Sequence, residues 1–301
     1  MAGARLRTLT AAALRAMPLP SPGGDKEQRG RVLVVGGSMR VPGAALLAGE
    51  AALRAGAGKL QIATAVSVAP AMALAVPEAL VLGLGQNGQG EITRGHRALD
   101  AALAACDAAV IGPGMASTTT TTALVKLAAA KAFCTLVLDA GALSRSLRAP
   151  SGRPFVLTPH AGEMATLAGD DKASVEAAPG QYAVTFARKM RSVVIVKGAD
   201  SFIAGPDGAL WVHRGGVPGL GTSGSGDTLA GLIAGFAARG SDALTAALWG
   251  VFVHAAAGKQ LAKRIGTVGF LAREIPPEVP GVLDRLSRRR SSPSPCRRGV
   301  G

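Results

Sequence analysis

A glycine-dense run that ends in an aspartate is the part of the sequence best suited to chemistry. Residues 216–231 read Gly-Val-Pro-Gly-Leu-Gly-Thr-Ser-Gly-Ser-Gly-Asp-Thr-Leu-Ala-Gly and lead into a helical pattern. Glycines let successive backbone N–H groups converge on one point, and the free N–H groups of a helix N-terminus add positive potential there. Gly224, Ser225 and Gly226 are therefore predicted to form an anion hole for a phosphate group.

Asp227 places a carboxylate beside this predicted anion hole. A carboxylate repels a bound phosphate, so its presence favours a role in proton transfer, as the general base that takes a proton from an attacking hydroxyl. The predicted chemistry is phosphoryl transfer to a hydroxyl. The alternative is that Asp227 only caps or charges the first turn of the following helix.

The elements that must position these residues are short strands alternating with longer helices. Runs of β-branched residues and leucine alternate with alanine-rich helical patterns, which is typical of a parallel sheet with helices on both faces. The predicted strands are 31–35, 60–63, 79–82, 108–111, 135–138, 155–157 and 193–196. Helices are predicted over 43–55 and from the glycine loop to Gly240, and a hairpin is predicted with strands 201–204 and 209–213.

Ligands bind beyond the carboxyl ends of the strands in open parallel sheets, so the residues that follow each strand indicate the site. Lys197 directly follows a predicted strand and suits a nucleotide phosphate, although an ordinary exposed lysine fits the same place. His160 lies in a predicted loop, where a ligand contact and a structural hydrogen bond are both open. Asp139 and Glu163 are candidates for holding Mg²⁺ through water, and either would equally suit a helix cap.

Two familiar nucleotide motifs are excluded. The G-x-G-x-x-G matches at 83–88 and 219–224 do not lie between a strand and a helix, as a dinucleotide site requires. The P-loop pattern G-x-x-x-x-G-K-[ST] does not occur. The predicted phosphate site is therefore of another kind.

Composition narrows the class of protein further. The net charge is +14, but many of the arginines lie in a basic tail, 285–301, that has few apolar residues and is predicted to be disordered. The tail has no aromatic residues, so a nucleic-acid partner is not expected.

Three widely spaced cysteines give no disulfide framework, which favours a cytoplasmic location. No segment is long and apolar enough for a membrane span. Residues 1–30 are interpreted as a lead segment and 31–284 as one domain.

An ordered series of motifs resembles the ADP- or ATP-dependent NAD(P)H-hydrate dehydratase family of the ribokinase-like superfamily. The matching motifs are Val34-Val-Gly-Gly-Ser38, Val41-Pro-Gly-Ala-Ala-Leu-Leu-Ala48, Ile111-Gly-Pro-Gly114, Leu138-Asp-Ala-Gly-Ala-Leu143, Leu157-Thr-Pro-His-Ala-Gly-Glu163, Val196-Lys-Gly198, Gly224-Ser-Gly-Asp-Thr-Leu-Ala-Gly231, Val253-His254 and Gly269-Phe-Leu-Ala272. The resemblance covers most of the chain. It implies a three-layer α/β fold with a mainly parallel central sheet.

The resemblance also implies an activity and its site. The family restores hydrated NADH and NADPH (NADHX and NADPHX) to NADH and NADPH with ADP or ATP and Mg²⁺. The implied substrate contacts are Ala44, Gly114, His160 and Asp227, and the implied nucleotide contacts are Lys197, Gly198, Ala199, Asp200, Ser201 and Gly226. No metal ligand is assigned. A homo-oligomer, often a tetramer, and a separate NAD(P)HX epimerase are the implied partners.

One departure from the family pattern lies just before the glycine loop. Residues 214–219 read Arg-Gly-Gly-Val-Pro-Gly, where the family usually has two asparagines. This departure affects side-chain contacts in the loop, and catalysis is expected to survive it. Two alternative functions remain open beside the one that the resemblance implies. The first is a vitamin kinase of the same superfamily, such as a hydroxymethylpyrimidine kinase, and the second is a catalytically silent nucleotide-binding regulator.

Overall fold

The computed structural model describes residues 5–21, 24–94 and 97–288. In this part of the chain the strands are β1 Leu6–Thr8, β2 Arg31–Val35, β3 Lys59–Ala65, β4 Ala79–Gln86, β5 Ile92–Arg94, β6 Ala108–Ile111, β7 Thr135–Leu138, β8 Val156–Leu157, β9 Val193–Val196, β10 Ser201–Ala204 and β11 Leu210–His213. They form one sheet in the order β1-β11-β10-β9-β8-β7-β6-β2-β3-β4-β5. The pairing is parallel except where β10 and β5 run antiparallel to their neighbours.

Helices cover both faces of this sheet. They are α1 Ala11–Ala16, α2 Gly43–Arg54, α3 Ala69–Ala75, α4 Arg97–Ala105, α5 Thr119–Lys131, α6 Ala161–Ala168, α7 Lys172–Ala177, α8 Pro179–Met190, α9 Ser225–Ala238, α10 Ala243–Arg264 and α11 Ile275–Arg288. Short 3₁₀ turns occupy Ala140–Ala142, Pro218–Leu220 and Ala272–Glu274. The predicted three-layer α/β class is confirmed.

Alternate residues of the central strands belong to two separate apolar cores. Val32 and Val34 pack with α2, α9 and α10, whereas Leu33 and Val35 pack with α4, α5 and α8 on the other face. Strands buried on both faces need apolar residues at every position, which explains the continuous apolar runs in the sequence. The small residues of α9 lie against α2, so the helix that follows the glycine loop is held close to the sheet.

The predicted element bounds are confirmed in part. Five strands have the predicted limits, but β3 and β4 are longer than predicted because they continue to pair through Thr64 and Gly83, which an apolar-run criterion excludes. Strand β8 begins one residue later than predicted, helix α2 ends one residue earlier, and the second hairpin strand begins at Leu210.

The two ends of the described chain differ from the sequence-based interpretation. Part of the predicted lead segment belongs to the sheet, because β1 pairs with β11, and Trp249 Nε1 donates a hydrogen bond of 2.8 Å to the carbonyl of Met17. Helix α11 runs to Arg288, so the predicted start of the tail at 285 is too early. Residues 289–301 lie outside the described residues. Within the described residues, no helix combines the length and apolar character that a membrane span needs.

Candidate active site

The carboxyl ends of the central strands open into a cavity of about 880 Å³. Strand β7 leads into Asp139, β8 into the loop with His160, and β9 into Lys197, while the glycine loop and the start of α9 close the other side. The bridge between His160 and Lys197 continues the parallel pairing of β8 and β9 beyond the strands. Chain segments far apart in sequence thus meet at one edge of the sheet, as predicted.

Asp139 and Lys197 form a buried ion pair at the floor of the cavity. Lys197 Nζ lies 2.9 Å from Asp139 Oδ1; the Lys197 side chain is 19% exposed and that of Asp139 is 4% exposed. Thr158 Oγ1 donates a second hydrogen bond to the same oxygen at 2.6 Å. Burial alone lowers the pKa of Lys197, but the carboxylates of Asp139 and Glu163 outweigh it, so the pKa is raised and the lysine is charged. The alternative that Lys197 is an ordinary exposed lysine is wrong.

His160 and Glu163 form the N-terminal cap of α6. His160 Nδ1 accepts hydrogen bonds from the backbone N–H groups of Gly162 and Glu163, and Glu163 Oε2 accepts one from the N–H of His160 at 2.8 Å. Because Nδ1 is an acceptor, the proton of the neutral ring is assigned to Nε2. His160 therefore has the structural role, and its ring also lines the cavity, with Nε2 3.7 Å from Glu163 Oε2.

The glycine loop enters α9 through Gly224, which is the N-cap residue with φ of +88°. A side chain there would meet Leu47, and this conformation suits glycine. At Gly226, a Cβ atom would lie 3.1 Å from Lys197 Nζ and 3.8 Å from Asp139 Oδ2. The bare backbone of α9 therefore faces the lysine ammonium, and together they provide positive potential for an anion.

Ser225 and His254 fasten the first turn of α9 to α10. His254 Nε2 lies 3.1 Å from both the hydroxyl and the carbonyl oxygen of Ser225. Burial lowers the pKa of His254 to about 4, so the ring is neutral at physiological pH. This contact fixes the orientation of the backbone that forms the predicted anion hole.

Asp227 lies in the first turn of α9 and faces the same cavity. The N-cap residue is Gly224, so Asp227 does not cap the helix; it is the acidic residue of the first turn, as the other half of that alternative states, and it lines the cavity as well. Burial raises the pKa of Asp227, and the Asp139 and Glu163 carboxylates raise it further; Lys197 opposes them, and the pKa reaches about 7. A carboxylate that titrates near neutral pH is well matched to general-base catalysis.

A family model described as NAD(P)H-hydrate dehydratase matches residues 32–280, which contain all of these groups. The chain belongs to the NAD(P)H-hydrate dehydratase family. It is 86% identical over 288 residues to the ADP-dependent (S)-NAD(P)H-hydrate dehydratase of Xanthomonas campestris pv. campestris, covering 96% of this chain and 100% of that protein. It is 34% identical to the enzyme of the same description from Bacillus subtilis, over 85% of this chain and 90% of the relative.

Solved structures agree with this family membership. The ADP/ATP-dependent NAD(P)H-hydrate dehydratase of B. subtilis, co-crystallised with ATP and Mg²⁺, has a TM-score of 0.80 and 31% identity, covering 93% of this chain and 98% of its own. A ribokinase-like superfamily protein from Enterococcus faecalis has a TM-score of 0.78 and 26% identity, covering 93% and 96%. The resemblance seen in the sequence is confirmed.

The structure brings most of the predicted nucleotide contacts to the cavity, but not every predicted site residue. Gly198, Ala199 and Ser201 line it, whereas Asp200 is not among its lining residues and faces Arg214, with 3.6 Å between Oδ2 and Nε. Ala44 and Gly114 lie against each other and are not among the lining residues. Their assignment to the hydrated nicotinamide remains a prediction.

His213 is a cavity residue that the sequence analysis missed. It ends β11, lines the cavity and is only 7% exposed, yet neither ring nitrogen makes a hydrogen bond of normal geometry within the described residues. Phe252 packs edge-on against its ring, at 5.4 Å between centroids. Burial, assisted by the charge of Lys259, lowers the pKa of His213. Its place at a strand end before the unusual run 214–219 was the available signal.

The site offers carboxylates for a metal ion but no complete set of protein ligands. Within residues 5–21, 24–94 and 97–288, no group of three or more His, Cys, Asp and Glu side chains is placed to hold a metal. Mg²⁺ commonly binds through one or two carboxylates together with substrate phosphates and water. Asp139 Oδ2 faces the anion hole while Oδ1 is held by Lys197 and Thr158, and this arrangement fits a magnesium ion carried by a nucleotide.

Proposed function

We propose that this protein dehydrates the S-form of hydrated NADH and NADPH, with ADP as the favoured phosphoryl donor. The observation that carries this proposal is the position of Asp227, a carboxylate with a pKa raised to about 7, beside a glycine-lined helix N-terminus and a buried lysine. The near full-length similarity to a protein described as an ADP-dependent (S)-NAD(P)H-hydrate dehydratase supports the substrate and the donor.

The reaction begins with proton transfer to Asp227. Its carboxylate takes the proton from the hydroxyl of the hydrated ring, and the hydroxyl oxygen attacks the terminal phosphorus of ADP, which releases AMP. Of the anion hole predicted at Gly224, Ser225 and Gly226, the N–H of Ser225 donates to the carbonyl of Thr222 at 3.3 Å. We therefore assign the stabilisation of negative charge on the phosphoryl group to the N–H groups of Gly226 and Asp227 and to the ammonium of Lys197. Inorganic phosphate then leaves with the electron pair of its C–O bond, and the ring nitrogen lone pair drives this step, which gives an iminium. Loss of a proton from the adjacent ring carbon then restores the dihydronicotinamide.

Magnesium belongs to this proposal as the companion of the nucleotide. When bound, it would neutralise phosphate charge and orient the phosphoryl group, and Asp139 and Glu163 would hold it through water. Asp139 is pre-oriented by Thr158 and Lys197, because both hold its Oδ1. The other nucleotide contacts are proposed at Gly198, Ala199, Asp200 and Ser201.

The wider setting of the reaction is proposed from the relatives. We propose that the protein acts in the cytoplasm as a homotetramer, after a separate NAD(P)HX epimerase. The bifunctional NAD(P)H-hydrate repair enzyme of Moorella thermoacetica is 38% identical to this chain, which spans 54% of that protein's length.

Product analysis tests this function against a vitamin kinase. With hydrated NADH and ADP, we expect NADH, AMP and inorganic phosphate to form in equal amounts. A stable phosphate ester with no inorganic phosphate would contradict the dehydratase function and favour a kinase. Omission of the hydrate should abolish AMP formation, which controls for simple hydrolysis of ADP.

A further inference from the structure

A second cavity, of about 430 Å³, lies at the opposite end of α9 from Asp227. Helix α9 has 14 residues and is therefore roughly 21 Å long, and Arg239 directly follows its last residue. The cavity is bounded by the segment 18–21, the end of α2 and one face of α11. It is thus separate from the candidate active site.

Arginines dominate the lining of this second cavity. Arg15, Arg29, Arg54 and Arg239 face it, and Asp284 is the acidic residue among the described lining residues. Arg239 Nη1 and Nη2 donate hydrogen bonds of 3.0 Å to the carbonyls of Ala55 and Pro20, while its buried Nε has no partner in the described part of the chain. Arg54 has an acidic partner on its own helix, with 3.9 Å between its Nε and Glu50 Oε1.

Arg29 is the group that structural roles leave unexplained. Arg29 is a half-buried residue of the turn before β2. Among the described residues its guanidinium forms no ion pair, and its buried Nε has no hydrogen-bond partner. Arg239 and Arg54 lie at the end of α2, where positive charge compensates the helix dipole. That explanation does not extend to Arg29. Burial lowers the pKa of Arg239 and the nearby charge of Arg29 lowers it further, so the two guanidinium groups repel each other.

We propose that this cavity binds a small metabolite through an oxyanion, a phosphate or carboxylate group held by Arg29, with Arg54 adding positive charge to the same cavity. An oxyanion would supply the acceptor atoms and negative charge that the Arg29 guanidinium lacks among the described residues. The remaining walls include Leu19, Trp249 and Leu283, so the ligand would carry an apolar portion beside its anionic group. This site does not depend on the proposed dehydratase function.

Thermal unfolding in the presence of inorganic phosphate or citrate tests the proposal. Saturating ADP is added throughout to occupy the catalytic cavity, with chloride at equal ionic strength as the reference. We expect a saturable rise in Tm with phosphate, with citrate, or with both, and the comparison tells a phosphate ligand from a carboxylate ligand. Arg29→Met should lower the affinity for the anion that raises Tm by roughly tenfold or more, because a charge-assisted hydrogen bond is lost.

Lys126→Met is the matched control, since it removes the same charge from an exposed position on α5. This variant should keep the anion response of the unmodified protein. An equal response in Arg29→Met, or no saturable response beyond chloride in the unmodified protein, would overturn the proposal. Failure of ADP itself to raise Tm would count against the proposed function alone, because the Arg29→Met comparison isolates the second cavity.

Discussion

Among single residues, Asp227 has the environment with the clearest consequence for pH dependence. Its pKa is raised to about 7, chiefly by burial and then by Asp139. A general base acts only when deprotonated, so kcat/KM should be constant above this pH and fall tenfold per pH unit well below it. Initial rates at subsaturating substrate between pH 5 and pH 9 measure this. A profile flat down to roughly pH 5 would contradict the assignment of Asp227 as the base.

The same carboxylate should lower the stability of the folded protein at neutral and higher pH. Because the folded-state pKa lies above the ordinary value of 3.8, the folded state binds more protons, and stability falls as pH rises from about 4 to about 7. Asp227→Asn removes this effect. Urea denaturation should show Asp227→Asn to be more stable at pH 8 by up to roughly 4 kcal/mol, with a smaller gap near pH 4. A gap independent of pH would show that the carboxylate is not destabilised by the fold.

Lys197 should be needed for stability as well as for charge compensation. Lys197→Met leaves the Asp139 carboxylate buried without its cation, which costs about 3–5 kcal/mol in comparable cases. The double variant Lys197→Met with Asp139→Asn removes both charges and should recover most of that loss. Urea denaturation of the three proteins gives the comparison. If the double variant is no more stable than the single one, the ion pair is not the cause.

At the scale of secondary-structure elements, a substitution in the first turn of α9 should lower activity without lowering stability. Gly226→Ala adds a methyl group about 3.1 Å from Lys197 Nζ, inside the anion hole, while alanine favours a helix by roughly 1 kcal/mol over glycine. We expect kcat/KM to fall at least tenfold with Tm unchanged or higher. Gly281→Ala on α11 is the matched control, because its methyl group has no close backbone neighbour and lies outside both cavities. Full activity in Gly226→Ala would contradict the anion hole.

The order of elements and the edge that carries the site could be predicted from the sequence because both depend on local patterns. Apolar runs mark buried strands, and the glycine loop marks a helix start. The ion pair between Asp139 and Lys197 could not be predicted, because it joins residues 58 positions apart whose meeting depends on strand order. The close approach of Cys106 and Cys134, 3.5 Å between sulfur atoms, depends on the same pairing of β6 with β7.

Edge strands and caps were also beyond sequence reasoning. Strand β1 has three exposed residues with no apolar alternation, and its pairing with β11 comes from the docking of the lead segment. His160 was recognised as a polar residue of a loop, but its capping role requires the start of α6 to be known.

At the scale of the whole molecule, α9 links the two cavities. Its N-terminus provides Asp227 and the anion hole, and Arg239, just beyond its C-terminus, faces the arginine-lined cavity. Four arginines of the described chain therefore lie together around the C-terminal end of α9. The concentration of acidic groups around Lys197 shows the same local organisation at the other end.

The most direct test of the dehydratase function is recovery of dihydronicotinamide absorbance from S-form hydrated NADH, with Mg²⁺ and with ADP or ATP added separately. We expect recovery that requires a nucleotide, is faster with ADP, and falls by at least about a hundredfold in Asp227→Asn. Nucleotide binding by Asp227→Asn, measured by calorimetry, shows that the variant retains its site. No recovery with either nucleotide, from protein that binds ADP, would contradict the proposed function.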